Sequence, residues 1–256
     1  MLEQMLGSET CSLINRQPVN GLIVDIGVSS GIDTLFYLKK GFKVIGVEAD
    51  PVQFDLVRQF FSLIDPEKLT LLNRAAARRS GETLTIHRHQ QFQALSGIEK
   101  RLDVPDNYQT FNVPTVGWSE IVSLAGVPRY LKIDIEGGEL PFLEGMRDNG
   151  SLPEFISAEV YKFEVIQALI DIGYSRFVLV DQTPFQNNTY KLPAQQNEGL
   201  YTDSFTFIDS SGPFGRDIFT DNNWLSPEGV TAAWSEVHGF YWRTWYDCHA
   251  WRPNPV

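Results

Sequence analysis

Cysteine is scarce in this chain: the 256 residues contain two, Cys11 and Cys248, near opposite ends and in no C-x-x-C spacing. That pattern excludes a disulfide framework and suggests no thiolate zinc site. Basic residues are also short, 21 Lys and Arg against 32 Asp and Glu, for a formal net charge of −11. Without a basic face, a nucleic-acid backbone and an anionic membrane surface are both disfavoured as partners. No apolar run approaches the roughly 20 residues that span a bilayer. The opening M-L-E-Q-M-L-G-S-E-T has neither the charged nor the apolar region of a secretory signal, so a reduced, cytoplasmic setting is expected. The dinucleotide fingerprint G-x-G-x-x-G is missing, as is the G-K-[ST] ending of a phosphate loop, and no internal repeat is visible.

The chain does contain enough apolar residues, 43%, for a sizeable core in one α/β domain with a decorated end. Its organising stretch is residues 22–31, L-I-V-D-I-G-V-S-S-G, which passes from an apolar run into a small-residue turn and then a helical pattern. This predicts a strand, a tight turn and a helix start. Gly27 and Gly31 would let the backbone bend sharply and a ligand come close, and the opening N–H groups of the helix favour electron-rich ligand atoms. Asp25 adds a negative charge at the strand tip, which repels a pyrophosphate and welcomes an ammonium or a ribose hydroxyl. A positively charged nucleoside cofactor fits, S-adenosylmethionine first among them.

Further along, 43–49 reads as a second buried strand. Asp50-Pro51 then supplies a helix N-cap followed by proline at the first helical position. Residues 69–73 read as a third strand. This βαβαβ opening predicts parallel strands with ligands outside their carboxyl ends. Residues 74–115 break the pattern and read as an inserted excursion, a hairpin at the sheet edge or over the site, with His87 and His89 facing solvent. Strands at 129–135 and 155–160 alternate with helices at 118–124, 139–146 and 162–172, and 177–180 and 204–208 are expected to close a seven-stranded sheet. The expected organisation is an N-terminal helical segment at 1–20, a cofactor-binding domain at 21–209 and a tryptophan-rich extension at 210–256. That extension holds Trp224, Trp234, Trp242, Trp245 and Trp251, five of the six tryptophans. It is too aromatic for a disordered tail. Contact with a ring-containing acceptor, packing on the body and packing across a homo-oligomer interface all account for it.

Glu48 ends the second strand, placed to accept hydrogen bonds from ribose hydroxyls. The fourth strand, L-K-I-D-I-E-G-G-E, carries Lys132, Asp134 and Glu136 on one face, an unusual load for a central parallel strand. Glu159 ends the fifth strand. Asp134, Glu136 and Glu159 would converge beside the cofactor to hold a hard divalent cation, bind a substrate hydroxyl or act as general base. The alternative is an internal network, with Lys132 paired to Asp134 and Glu136 capping the helix that starts near Glu139.

V-D-I-G-V-S-S-G, V-E-A-D-P, N-R-A-A, L-K-I-D-I-E-G-G-E-L-P-F-L-E-G-M and I-S-A-E-V together resemble the FkbM-type methyltransferases. The resemblance implies a class I methyltransferase fold: a Rossmann-like seven-stranded sheet with helices on both faces. It also implies S-adenosylmethionine as donor and a hydroxyl acceptor on a sugar or secondary metabolite. Asp25, Gly27 and Gly31 would line the methionine part, Glu48 would bind the ribose, Asn73 with Ala75 would lie near the adenine, and Ala49 is also counted among the cofactor-binding residues. One departure is T-V-G-W-S-E-I-V, where the family usually shows T-L-D-[DE]-L. Alkylating an alcohol needs alignment and proton removal. Asp134 is the first candidate base, Glu159 the second and His249 the third. Two other readings stay open: a catalytically degenerate interaction module that keeps the cofactor site, and a dinucleotide-linked oxidoreductase.

Overall fold

A computed structural model describes residues 7–16, 19, 21–91, 96–100, 107–183, 189–191, 204–206, 223–237 and 245–253. After α1 (Ser8–Arg16), the chain alternates β1 (Leu22–Ile26), α2 (Ile32–Lys39), β2 (Lys43–Glu48), α3 (Pro51–Phe60) and β3 (Leu69–Asn73). Short β4 (Ala75–Ala76) and the hairpin β5 (Thr83–His89) and β6 (Tyr108–Val116) follow. Then come α4 (Trp118–Ala125), β7 (Tyr130–Ile133), α5 (Glu139–Asn149), β8 (Phe155–Glu159), α6 (Phe163–Asp171) and β9 (Arg176–Asp181). The remaining described elements are β10 (Thr189–Lys191), β11 (Ser204–Thr206), α7 (Pro227–Val237) and β12 (Tyr246–Trp251).

The central sheet has seven strands in the order β3-β2-β1-β7-β8-β12-β9. All its pairings are parallel except those of β12, which runs antiparallel to both β8 and β9. This is the class I methyltransferase fold. Chain order reverses between β1 and β7, opening the crevice in which α/β sheets hold ligands. Two apolar cores cover the two faces. One joins Ile23, Val44, Tyr130 and Phe155 to Leu35 and Phe36 of α2, and the other joins Val24, Val47, Leu131 and Ile156 to residues of α4, α5, α6 and α7. Period-two alternation therefore assigns a face to every strand-tip carboxylate.

Several expectations change. The seventh strand is β12, from within the stretch expected as an extension, so the sheet crosses the expected boundary at 209/210. The expected strand at 204–208 is described over Ser204–Thr206, where it pairs with β10 in a separate two-stranded ribbon. Trp224 and Trp251 pack together with ring centroids 5.5 Å apart, Trp251 stacks on Phe155, and Trp234 is buried, so these three serve the body. Trp242 lies outside the described residues, as do Leu2, Met5 and Leu6 of the expected N-terminal helix. His89 does not face solvent: it is buried, with its ring 5.0 Å from that of Tyr108 across the hairpin. Cross-strand packing against Tyr108 outweighs its polarity.

Candidate active site

The turn after β1 is built by backbone sterics. Gly27 and Gly31 have φ of 87° and 83°, in the left-handed region that glycine tolerates. Packing demands glycine at both positions. A Cβ on Gly27 would lie 1.7 Å from the Asp134 carbonyl oxygen, and one on Gly31 would lie 2.9 Å from the Phe61 ring. Between them Ser29 adopts φ of 51°, held from both sides. Its N–H donates to Glu48 at 2.9 Å, and its carbonyl accepts from the Gln53 amide at 2.7 Å.

Glu48 thus clamps the turn. Its second carboxylate oxygen accepts from Asp50 N–H at 2.9 Å. Burial pushes its carboxyl up to about 7 against the pull of these two donors. Asn73 donates its side-chain amide to the carbonyls of Glu48 and Ala49, at 2.9 and 3.2 Å, and so ties the tip of β3 to that of β2. Ala75 is buried in a small core with Ile86 and Val113, against which Ala49 packs.

Asp25 lies beneath the turn and does not line it. It is 0% exposed, accepts a 2.6 Å bond from the Thr34 hydroxyl, and stands 4.0 Å from the Lys132 ammonium. Lys132, also buried, reaches Asp33 at 3.0 Å and Asp134 at 3.2 Å. The internal pairing considered from sequence therefore exists, widened to three aspartates on β1, on α2 and at the tip of β7. Burial raises Asp25 to about 7 while Lys132 pulls it down, and those same aspartates hold the Lys132 ammonium well above its usual range against its own burial.

Asp134, Glu136 and Glu159 do converge, each offering an oxygen within 4.8 Å of the others. Glu136 has φ of 52°, and the hairpin reaches it: a Cβ on Gly97 would sit 2.8 Å from the Glu136 carbonyl oxygen. Arg88 of β5 pairs with Asp50 at 2.8 Å, anchoring the excursion beside the strand tips. Glu159 is raised well above the ordinary carboxyl value by burial first, then by Asp134, Glu136 and Asp247. His249 is not at this cluster's tip. It sits inside β12 in register with Ser157 and Val178, fully buried, and burial pushes it down to about 3. A side chain that resists protonation this strongly is unsuited to collecting a proton from an acceptor.

Sequence reading missed three carboxylates. Glu139, and not Glu136, holds the I-E-G-G loop, accepting from Ile135 and Gly137 N–H at 3.0 Å each. The glycine pair ahead of a helix-start acid is the signal that could have found it. Asp33 carries only weak notice as a first-turn acid on an otherwise buried helix. Asp247, in register with Glu159, carries none, because its neighbour is 88 residues away in the chain.

The donor set fits an adenosyl cofactor with a cationic sulfur: a clamped carboxylate at the β2 tip with lone pairs to spare, and a group of acids at the tips of β7 and β8. Residues 25–183 match the family model described as the methyltransferase FkbM domain. No curated protein sequence matches the chain. Among solved structures, it is similar to precorrin-6y C5,15-methyltransferase from Geobacter metallireducens, at 11% identity over 96% of this chain and 87% of that one, with a TM-score of 0.42. It is likewise similar to a SAM-dependent O-methyltransferase from Thermotoga maritima, at 11% identity over 100% and 73%, with a TM-score of 0.39.

Proposed function

The chain belongs to the FkbM methyltransferase family, and from that premise we propose an S-adenosylmethionine-dependent O-methyltransferase acting on a hydroxyl of a small glycosyl or secondary-metabolite acceptor. The observation that carries the finer reading is the convergence of Asp134, Glu136 and Glu159 beside the glycine turn. An alcohol must lose a proton as it is alkylated, and three carboxylates at one point provide acceptors for it. The scarcity of basic residues supports a small acceptor over a nucleic acid.

When bound, the cofactor supplies an electrophilic methyl group on a sulfonium sulfur. Glu48 accepts the ribose hydroxyls with the lone pairs that Ser29 and Asp50 leave open. Glu159 is the better base, because burial and the neighbouring acids Asp134, Glu136 and Asp247 raise its affinity for a proton. Asp134, first in the sequence reading, is tied to Lys132 at 3.2 Å, and a proton added there would have to displace that ion pair. It orients the acceptor hydroxyl. Glu136, on its left-handed backbone, completes the polar wall.

Calorimetry with S-adenosylmethionine and with NAD tests the cofactor reading; affinity for NAD alone would end it. The acceptor reading is tested with methyl-labelled donor and a small-molecule extract of the source cells. Label is expected in a low-mass product stable to mild alkali, as an ether is, and Glu159→Gln should slow its formation at least tenfold. Label recovered in nucleic acid, or on nitrogen, would refute hydroxyl transfer. The same three carboxylates are spaced to share a divalent cation. Loss of transfer in EDTA, restored by Mg²⁺, would reassign them as ligands.

A further inference from the structure

The inserted hairpin touches the site at two points. From β5, the Arg88 guanidinium pairs with Asp50 at 2.8 Å, the two side chains being only 24% and 8% exposed. Asp50 stands at the junction of β2 and α3, where its N–H donates to Glu48, the carboxylate assigned to the ribose, and its own carboxylate caps α3. On the edge of β5 away from β6, His87 and Gly97 exchange backbone hydrogen bonds of 2.8 and 3.1 Å, and Ser96 Oγ accepts from His89 N–H at 3.0 Å. That bridge lays Gly97 on Glu136: a Cβ at 97 would lie 2.8 Å from the Glu136 carbonyl oxygen and 3.4 Å from the Glu136 Cβ. A continuous path of contacts therefore runs from the β2 tip through Arg88, His87 and Gly97 to one of the three converging acids.

Glu136 depends on that contact. With φ of 52° it adopts a backbone conformation that non-glycine residues disfavour and that persists only where the surroundings fix it. Glu139 supplies one restraint, accepting from the flanking N–H groups of Ile135 and Gly137 at 3.0 Å each, and Gly97 supplies the other by confining the Glu136 carbonyl. Ala49 also joins the hairpin to the β2 tip by packing on Ala75, Ile86 and Val113, but apolar contact is non-directional, whereas the ion pair fixes how far β5 reaches. We propose that Arg88 is a positioning residue: by fixing the hairpin on Asp50 it holds Gly97 against Glu136 and keeps the Glu136 carboxylate gathered with Asp134 and Glu159 around the acceptor hydroxyl. The inference rests on the proposed hydroxyl transfer. Arg88 takes no part in proton transfer and makes none of the contacts assigned to the cofactor. Without its cation β5 can shift, the Glu136 peptide relaxes, and its carboxylate leaves the trio. The acceptor is then misaligned while the donor site stands.

Three measurements on the intact protein test this: calorimetry with S-adenosylmethionine, transfer from methyl-labelled S-adenosylmethionine to the small-molecule extract at saturating donor, and amide exchange at Ile135 and Gly137. Arg88→Ala should leave donor affinity within about fivefold of the wild type, the ceiling for a partly exposed ion pair. It should slow transfer by about ten- to a hundredfold, the scale of a displacement near 1 Å at the reacting groups, and speed exchange at both amides. Arg88→Lys, which keeps the cation, should recover most of the rate. Gly97→Ala changes no charge and lies at the other end of the path, yet it should reproduce the Arg88→Ala pattern, because its Cβ must displace Glu136. Unchanged transfer in Arg88→Ala, equal losses in Arg88→Ala and Arg88→Lys, donor affinity lost in step with transfer, or unchanged exchange at Ile135 and Gly137 overturns the proposal. The exchange measurement needs no acceptor, so it decides the inference even where the wild type transfers no label, a result that refutes the proposed function instead.

Discussion

Replacing Lys132 with methionine probes the physics of the site most directly. The substitution keeps most of the aliphatic stem and removes the ammonium that faces Asp25, Asp33 and Asp134. Taking one partner from a buried pair costs about 3–5 kcal/mol, because the remaining charge is left in low dielectric. Two of the three aspartates here are fully enclosed, so the upper part of that range is expected at pH 7.5. Domains of this kind have about 5–15 kcal/mol of total stability, so the variant should fold but unfold at much lower urea. At pH 5.5 the loss should shrink by up to about 1 kcal/mol. Asp25 already sits at about 7 with Lys132 present and moves higher without it, so it takes up a proton and stops being an unpaired charge. The assay is urea unfolding followed by circular dichroism at both pH values, with the Lys132→Met/Asp33→Asn double variant as the coupling control. The double variant should be less destabilised than the sum of the two singles. A loss below about 1 kcal/mol at pH 7.5, or equal losses at both pH values, would refute the buried-network account.

Gly27→Ala should cost far more than Gly126→Ala. Both have positive φ, but a Cβ at 126 meets nothing within 4 Å whereas one at 27 meets the Asp134 carbonyl, so the difference in thermal midpoints reads the steric contribution alone. Glu139 is pushed up to about 7 from 4.5 by burial, so its contribution to stability is full below about pH 4.5 and is lost as pH rises through 7. Glu139→Gln should therefore flatten the fall in stability between pH 5 and 7.5, measured by thermal unfolding; an unchanged slope would remove Glu139 from the linkage. His249 works with the opposite sign, since its folded value lies near 3 and its contribution fades as pH drops below about 6.5. Arg88→Ala should speed amide exchange across Thr83–His89 and leave α3 protected. Asp50→Ala should loosen both, because the Asp50 carboxylate also caps α3 through Val52 N–H at 2.9 Å, a cap worth about 1 kcal/mol. Equal protection in the two variants would show that the hairpin is anchored elsewhere.

Much of the fold could be read from local sequence. Strand β1 with its glycine turn, the Asp50-Pro51 helix start, and the alternation that places Lys132 and Asp134 on one face all depend on near neighbours and backbone sterics. The convergence of the three acids followed, since parallel strands present their carboxyl ends together. The buried faces were less legible: in α6 the buried side chains are Val165, Ile166 and Leu169, while Phe163 and Ile170, apolar and at helical spacing from Ile166, are only partly buried. A period of 3.6 leaves the stripe free to rotate by one residue until a sheet packs against it.

By itself, then, the sequence determined where the backbone bends and which side chains share a strand face, because those choices are made within a few residues of one another. Tertiary structure alone decided that β12 enters between β8 and β9, that Asp247 stands opposite Glu159, that Arg88 reaches Asp50, and that Lys132 gathers three aspartates instead of one. Those partners come from distant segments, and they are selected by the shared burial of surfaces and charges that exists only once the sheet has assembled.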